Sequence, residues 1–308
     1  MLLQPSLAAL TSLCKGKDVS ADTQGWRAKA KHFEFQGHQI AYWTGGNTNA
    51  RPLLLVHGFP TCSWDWEPVW EKLGSRHHLV ACDMLGFGLS DKPRSGYSIH
   101  RQTDLQEALL EHLGVVEFDA LVHDYGDSVG QEMLARQRES AGAEGLGQIV
   151  FLNGGIFPDQ HRARPIQKLG VSPLGFLVGL LMGRNSFGKS FSEVFGPSTR
   201  PSAAELDQFW EFIRYKGGQR ITHKLLHYIA DRRTHRERWE TALTGAQERI
   251  GLINGGLDPV SGKHAYARWR EVVPQARHHL IETVGHYPQV EAPDEVARIA
   301  LEWLTPAA

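Results

Sequence analysis

The stretch that most constrains this chain is residues 118–130, Phe-Asp-Ala-Leu-Val-His-Asp-Tyr-Gly-Asp-Ser-Val-Gly, an apolar run that breaks abruptly into a glycine-punctuated segment. A strand that turns sharply into a helix, with small residues around one nucleophilic side chain, lifts that side chain above the sheet. Two side chains compete for the position. Residues 126–130 satisfy G-x-S-x-G with Ser128, whereas residues 122–126 satisfy a looser pattern with the carboxylate of Asp124. Strand register favours Asp124. Ala120, Leu121 and Val122 must be the buried part of the strand, and Asp124 follows directly. A Ser128 nucleophile would drag His123, Asp124 and Tyr125 into a strand buried on both faces, which normally reads as a continuous apolar run. With Asp124 at the turn, Asp127 and Ser128 enter the first helical turn, where acidic and hydroxyl groups suit unpaired amides.

Short apolar runs alternate with helical periodicity around that stretch. Residues 32–43 read as an edge hairpin turning at Gly37 and His38, and residues 53–56, 78–82, 148–152, 249–253 and 279–281 read as strands. Residues 63–73, 102–113 and 294–304 carry apolar positions at helical spacing. This alternation predicts an α/β fold with a mostly parallel, doubly wound sheet. Residues 156–245 interrupt it with helical character and many aromatics, among them Phe187, Phe191, Phe209 and Trp210. They are expected to form an inserted helical cap between two parts of one core, residues 1–155 and 246–308. Gly86 and Gly88 complete no G-x-G-x-x-G and open no helix, so a tight structural loop is expected there rather than a nucleotide site.

The 308 residues suffice for a large core with an insertion. Lys and Arg number 33 against 34 Asp and Glu, with no long basic run, which argues against nucleic acid or an anionic membrane surface as main partner and for a small-molecule substrate. Cys14, Cys62 and Cys82 are far apart, so neither a disulfide framework nor a zinc site is expected. Among sixteen histidines only adjacent pairs occur, and neighbours on a strand face opposite ways, so most are expected at the surface and no metal is implied. Residues 1–13 lack a basic flank and are too short to span a bilayer; a short N-terminal segment of a cytoplasmic protein is expected.

Two further loops supply partners for Asp124. Asp258 lies in Gly-Leu-Asp-Pro after the strand at 249–253, and His286 in Gly-His-Tyr-Pro after that at 279–281, giving the chain order nucleophile, acid, histidine at the carboxyl ends of strands. The position after the strand at 148–152 is Asn153, so no carboxylate there competes with Asp258. His-Gly-Phe-Pro at 57–60 occupies the loop where an oxyanion-binding amide is expected.

These motifs resemble the epoxide hydrolase and haloalkane dehalogenase branch of the α/β-hydrolases. More narrowly they resemble the mesoderm-specific transcript family, through His-Gly-Phe-Pro-Thr at 57–61, the run from Asp83 to Pro93, His-Asp-Tyr-Gly-Asp at 123–127, Asn-Gly-Gly-Ile-Phe-Pro at 153–158 and His-Tyr-Pro-Gln at 286–289. The similarity extends from about Trp26 to the C-terminus. It implies an α/β-hydrolase fold with Asp124 as nucleophile, His286 as base and Asp258 as its orienting acid. It also implies amides of Phe59 and Tyr125 as oxyanion hole, and no cofactor. A carboxylate attacking carbon gives an alkyl-enzyme ester, which a histidine-activated water then hydrolyses. Dehalogenases of this branch place tryptophan after the nucleophile to hold the halide, where this chain has Tyr125, and Phe59 stands at a second halide-holding position. Epoxide hydrolases need cap tyrosines to hold the epoxide oxygen, for which Tyr228 and then Tyr215 are the candidates. The expectation is an epoxide-hydrolase-like enzyme acting on a small apolar substrate. The alternatives are a haloalkane dehalogenase, a serine esterase using Ser128, and a ligand-binding protein without catalysis.

Overall fold

Eight strands, β1 Lys31–Phe35, β2 His38–Gly46, β3 Pro52–Val56, β4 His78–Cys82, β5 Phe118–His123, β6 Leu146–Leu152, β7 Ile250–Gly255 and β8 Arg277–Ile281, make one sheet. Its order is β1-β2-β4-β3-β5-β6-β7-β8. The computed structural model describes residues 23–140, 145–172 and 174–304; the expected N-terminal segment at 1–13 and Cys14 lie outside them. Cys62 and Cys82 are buried free thiols. No helix among the described residues is long and apolar enough to cross a membrane.

The β1–β2 hairpin pairs antiparallel with itself and with β4, and every other pairing is parallel. It turns through Gln36 and Gly37, both at positive φ, one residue earlier than the composition suggested. β5 and β7 are buried along their whole length, as apolar central strands covered by helices on both faces must be. One face packs on Leu109, Val129, Met133 and Trp269, the other on Val69, Leu73, Val296 and Ile299.

Two helix boundaries differ from expectation for local reasons. The helix expected from residue 102 runs Ile99–His112, because Ser98 caps it by accepting from the Arg101 amide. The helix expected at 63–73 is a 3-10 turn, Ser63–Trp66, followed by an α-helix, Glu67–Gly74, whose first turn holds Pro68 where no amide is needed.

The run from Asp83 to Pro93 is tied down by buried hydrogen bonds. Asp83 accepts from the Ser63 amide at 2.9 Å, the Ser63 hydroxyl at 2.5 Å and the Leu89 amide at 2.6 Å. Gly88 sits at φ 45°, and a Cβ there would stand 2.0 Å from the Asp83 carboxylate, so only glycine lets the loop close on it. Lys92 donates to the carbonyls of Gly88 and Ser90.

Between β6 and β7 the described residues contain helices and no strand. Several of its residues, Leu177 and Phe191 among them, line a cavity together with residues of the loops that follow the strands. Its last α-helix, Arg236–Thr244, lies against the helix that follows β5, with Trp239 Nε1 donating to Glu132 at 2.8 Å, and so joins the layer flanking the sheet.

Asp83→Ala leaves buried amide and hydroxyl donors without acceptors, and it is expected to cost about 2–4 kcal/mol of stability. Urea unfolding of variant and wild type checks this; a loss within error would mean that the loop is held by other contacts.

Candidate active site

β3 is flanked by β4 on one side and β5 on the other, so the chain winds away in opposite directions from β3 and β5. A crevice opens at the carboxyl ends of strands at such a switch point. Phe59 lies in the loop after β3 and Asp124 immediately after β5, so both belong to that crevice. Asp124 has φ 47° and ψ −100°, a conformation sparsely allowed to any side chain but glycine, and the helix Tyr125–Glu139 starts at the next residue. Gly126 presses so closely on β3 that a Cβ would lie 2.4 Å from the Val56 carbonyl oxygen, which is why the turn needs glycine there. The Asp124 carboxylate accepts from the Phe59 amide at 3.1 Å through Oδ2. Tyr125 is the first helical residue, whose amide has no partner within the helix.

Asp258 and His286 meet across loops after β7 and β8, with His286 Nδ1 2.8 Å from Asp258 Oδ2. Asp258 also accepts from Asn153 Nδ2 at 2.9 Å, the Ser261 hydroxyl at 2.6 Å and amide at 3.1 Å, and the Val260 amide at 2.7 Å. Burial disfavours its charge, but the imidazolium and these donors outweigh burial and hold the carboxyl well below the usual carboxylate range. Burial likewise disfavours a charged His286, yet the Asp258 carboxylate, the hydrogen bond to it and the nearby Asp124 push it up to about 9.

Asp124, His286, Phe59 and Tyr287 share a cavity of about 450 Å³ with the helical segment, whose Leu177 and Val178 help form its apolar wall. A concave apolar space with a few convergent polar groups is the usual form of a small-molecule site. The other expected residues lie differently. Tyr228 is buried beside Tyr125 and Phe59, with ring centroids 4.8 and 6.2 Å away, and its hydroxyl has no well-formed hydrogen bond. Tyr215 lines a separate cleft with Arg27 and Glu211. Ser128 is fully buried, and its hydroxyl accepts from Arg232 Nε at 2.7 Å.

Sequence reasoning passed over four supporting residues. Arg232, in the helix Tyr228–Thr234, donates through Nη2 to the Asp124 carbonyl at 2.7 Å and stands 3.6 Å from Asp124 Oδ1. His123 bonds through Nε2 to the His286 carbonyl at 2.8 Å; burial, reinforced by the His286 charge, pushes its own pKa down to about 3, so Nε2 carries the proton and donates. Asn153 was seen only as the absence of a carboxylate, yet it bonds Asp258. Glu291 collects the amides of Gly196, Gly285 and Tyr287, fastening the His286 loop to the helical segment. His123 and Asn153 stood inside the motifs quoted above. Arg232 carried no local signal, because its partners are remote in sequence, and neither did the bond by which Glu291 reaches Gly196, 95 residues away.

The profile of the alpha/beta hydrolase family matches residues 53–299, and this chain belongs to that family. It is 38% identical to the mesoderm-specific transcript homolog protein of Homo sapiens over 306 residues, covering 95% of this chain and 90% of that one. In fold it is similar to a loop variant of the haloalkane dehalogenase DbeA from Bradyrhizobium elkanii, with a TM-score of 0.76 at 20% identity, over 89% of this chain and 95% of that one. The epoxide hydrolase CorEH has a TM-score of 0.71 at 19% identity, over 90% of this chain and 98% of that one.

Because its folded pKa is raised, the stabilisation from His286 is complete below its ordinary value of 6.5 and is lost as pH climbs through about 9. In the free protein the His286 ring is expected to titrate near that upper value. Asp124→Asn, which removes one of the charges holding the proton, is expected to lower the midpoint. NMR titration of the ring measures both, and an unchanged midpoint in the variant would show that Asp124 and His286 are not electrostatically coupled.

Proposed function

We propose that this protein is a hydrolase that uses Asp124 as nucleophile, His286 as base and Asp258 as the group that orients and charges the base. The reaction proceeds through a covalent alkyl ester, and an epoxide-type substrate on a small apolar frame fits best. The observation that carries this reading is the placement of Asp124. Its carboxylate sits at a sharp strand-to-helix turn, opens on an apolar cavity shared with His286, and has one oxygen held by the Phe59 amide. Oδ1 attacks carbon, the carbon–oxygen bond of the ring breaks, and the released oxyanion takes a proton. His286 then removes a proton from water, which attacks the ester carbonyl, with the amides of Phe59 and Tyr125 placed to hold the oxyanion formed there. Residues 156–234 act as the cap that closes the cavity.

Tyr125 where dehalogenases place tryptophan, and Phe59 at the second halide-holding position, favour the epoxide over the haloalkane. A serine route is opposed by the burial of Ser128 and its bond to Arg232. Tyr228 is the proposed proton donor to the ring oxygen, for its hydroxyl is buried close to the site without a well-formed partner. Tyr215, in its separate cleft, has no part in this reading.

His286→Gln is expected to slow ester hydrolysis far more than alkylation, so the adduct accumulates. Intact-mass and peptide mapping would find an epoxide's full mass on Asp124, or a haloalkane's mass less hydrogen halide. An acyl group on Ser128 would replace the aspartate route with a serine one, and no adduct with either substrate would leave a binding protein.

Tyr228→Phe is expected to lower epoxide turnover about ten- to a thousandfold, the scale of losing a proton donor or one oxyanion donor. Steady-state kinetics on a chromogenic epoxide reads it; wild-type turnover would remove Tyr228 from the site.

A further inference from the structure

The helical segment presents an apolar surface that the hydrolytic reaction does not require. Leu169, Val171, Leu174, Phe176, Leu180 and Leu181 are between 48% and 76% exposed, and they make up most of the large exposed hydrophobics among the described residues. All six belong to two short helices and the turn joining them, Pro165–Gly170 and Gly175–Leu181. Scattered exposed leucines need no explanation, but a contiguous cluster marks a surface that is covered in use. Leu169, Leu174 and Leu181 also line the cavity that holds Asp124 and His286, so the patch is the rim of its entrance.

Charge around the patch is one-sided. Residues 170–183 carry no charged side chain, and residues 160–192 contain no Asp or Glu but five bases, Arg162, Arg164, Lys168, Arg184 and Lys189. Residues 212–230 repeat the pattern with Arg214, Lys216, Arg220 and Lys224 and no acid. The two stretches touch. A Cβ on Gly179 would meet the Arg220 backbone at 3.0 Å, and one on Gly175 would meet the His223 side chain at 3.2 Å. Arg164, Arg184 and Lys216 are partly neutralised by Glu193, Asp207 and Asp91. Lys168, Lys189 and Arg220 are exposed and make no ion pair among the described residues. A near-balanced total charge does not register this local asymmetry.

From this juxtaposition we infer that the rim docks on an anionic lipid surface, with its leucines and Phe176 entering the acyl boundary and the surrounding bases facing lipid phosphates and carboxylates. Apolar insertion combined with basic flanks is the chemistry by which a protein lies on such a surface. An apolar substrate dissolved in the bilayer would then enter the cavity without crossing water. The docking stands on the surface alone; the entry of a substrate rests on the Asp124 and His286 reading.

Sedimentation with vesicles tests the docking. Wild type is expected to bind vesicles of mixed phosphatidylcholine and phosphatidylserine, and to bind them less as salt rises. The double variant Phe176→Glu with Leu180→Glu changes two exposed side chains outside the cavity wall. It should bind at least about tenfold more weakly, by lost insertion and charge repulsion, while keeping turnover of a water-soluble substrate. Lys168→Glu with Lys189→Glu should remove the preference for phosphatidylserine. Asp124→Asn should bind vesicles like wild type, so failure of the proposed chemistry and failure of docking are read separately. Equal binding to pure phosphatidylcholine, full binding by the Phe176/Leu180 variant, or capture by polyglutamate with none by vesicles would each overturn the inference, the last in favour of an acidic protein partner.

Discussion

The site depends on one strained residue. Asp124 holds a positive φ that a non-glycine residue keeps only when its surroundings over-determine it. Its amide donates to the Leu152 carbonyl at 3.3 Å, and its carbonyl accepts from Asp127 at 3.2 Å and from Arg232 at 2.7 Å. Hydrogen bonding from β6, from the following helix and from the helical segment therefore converges on one residue. Relaxing the turn would point the carboxylate away from the Phe59 amide and break all three. The parallel sheet matters to the site chiefly because it places β3, β5 and β6 side by side beneath this residue.

Charge at the site is arranged with the same economy. Four ionisable groups, Asp124, Arg232, Asp258 and His286, are nearly fully buried, and each has an opposite charge close by. A buried charge that loses its partner is costly, so the set is coupled. In the proposed reaction, esterification of Asp124 removes one of the negative charges that hold the proton on His286. The imidazole then releases its proton more readily at the moment a base is needed. His123, kept neutral by burial beside His286, adds a hydrogen bond without a competing charge.

The helical segment contributes in two directions. Inward, Arg232 ties it to Asp124, and Glu291 ties it to the His286 loop through the Gly196 amide. Outward, it carries an apolar, cationic face on a chain whose formal net charge is −1. Net charge is a sum and is blind to this separation.

The positions of the sheet strands and the choice of Asp124 over Ser128 for the turn were legible because both rest on local rules: alternating hydrophobic periodicity, and the limit on how far a buried strand can run through polar residues. The loops carrying Asp258 and His286 were legible for the same reason, each following a strand directly. Tertiary structure alone decided which polar groups support them. Arg232 lies 108 residues from the carbonyl it holds, and Glu291 lies 95 from Gly196. It also separated Tyr228 from Tyr215, the first and second candidates for the same role, one packed on Tyr125 and the other lining a different cleft. Local sequence fixes which backbone can strain and which strand can be buried, whereas hydrogen bonds between distant segments exist only once the chain has folded and carry no local signature.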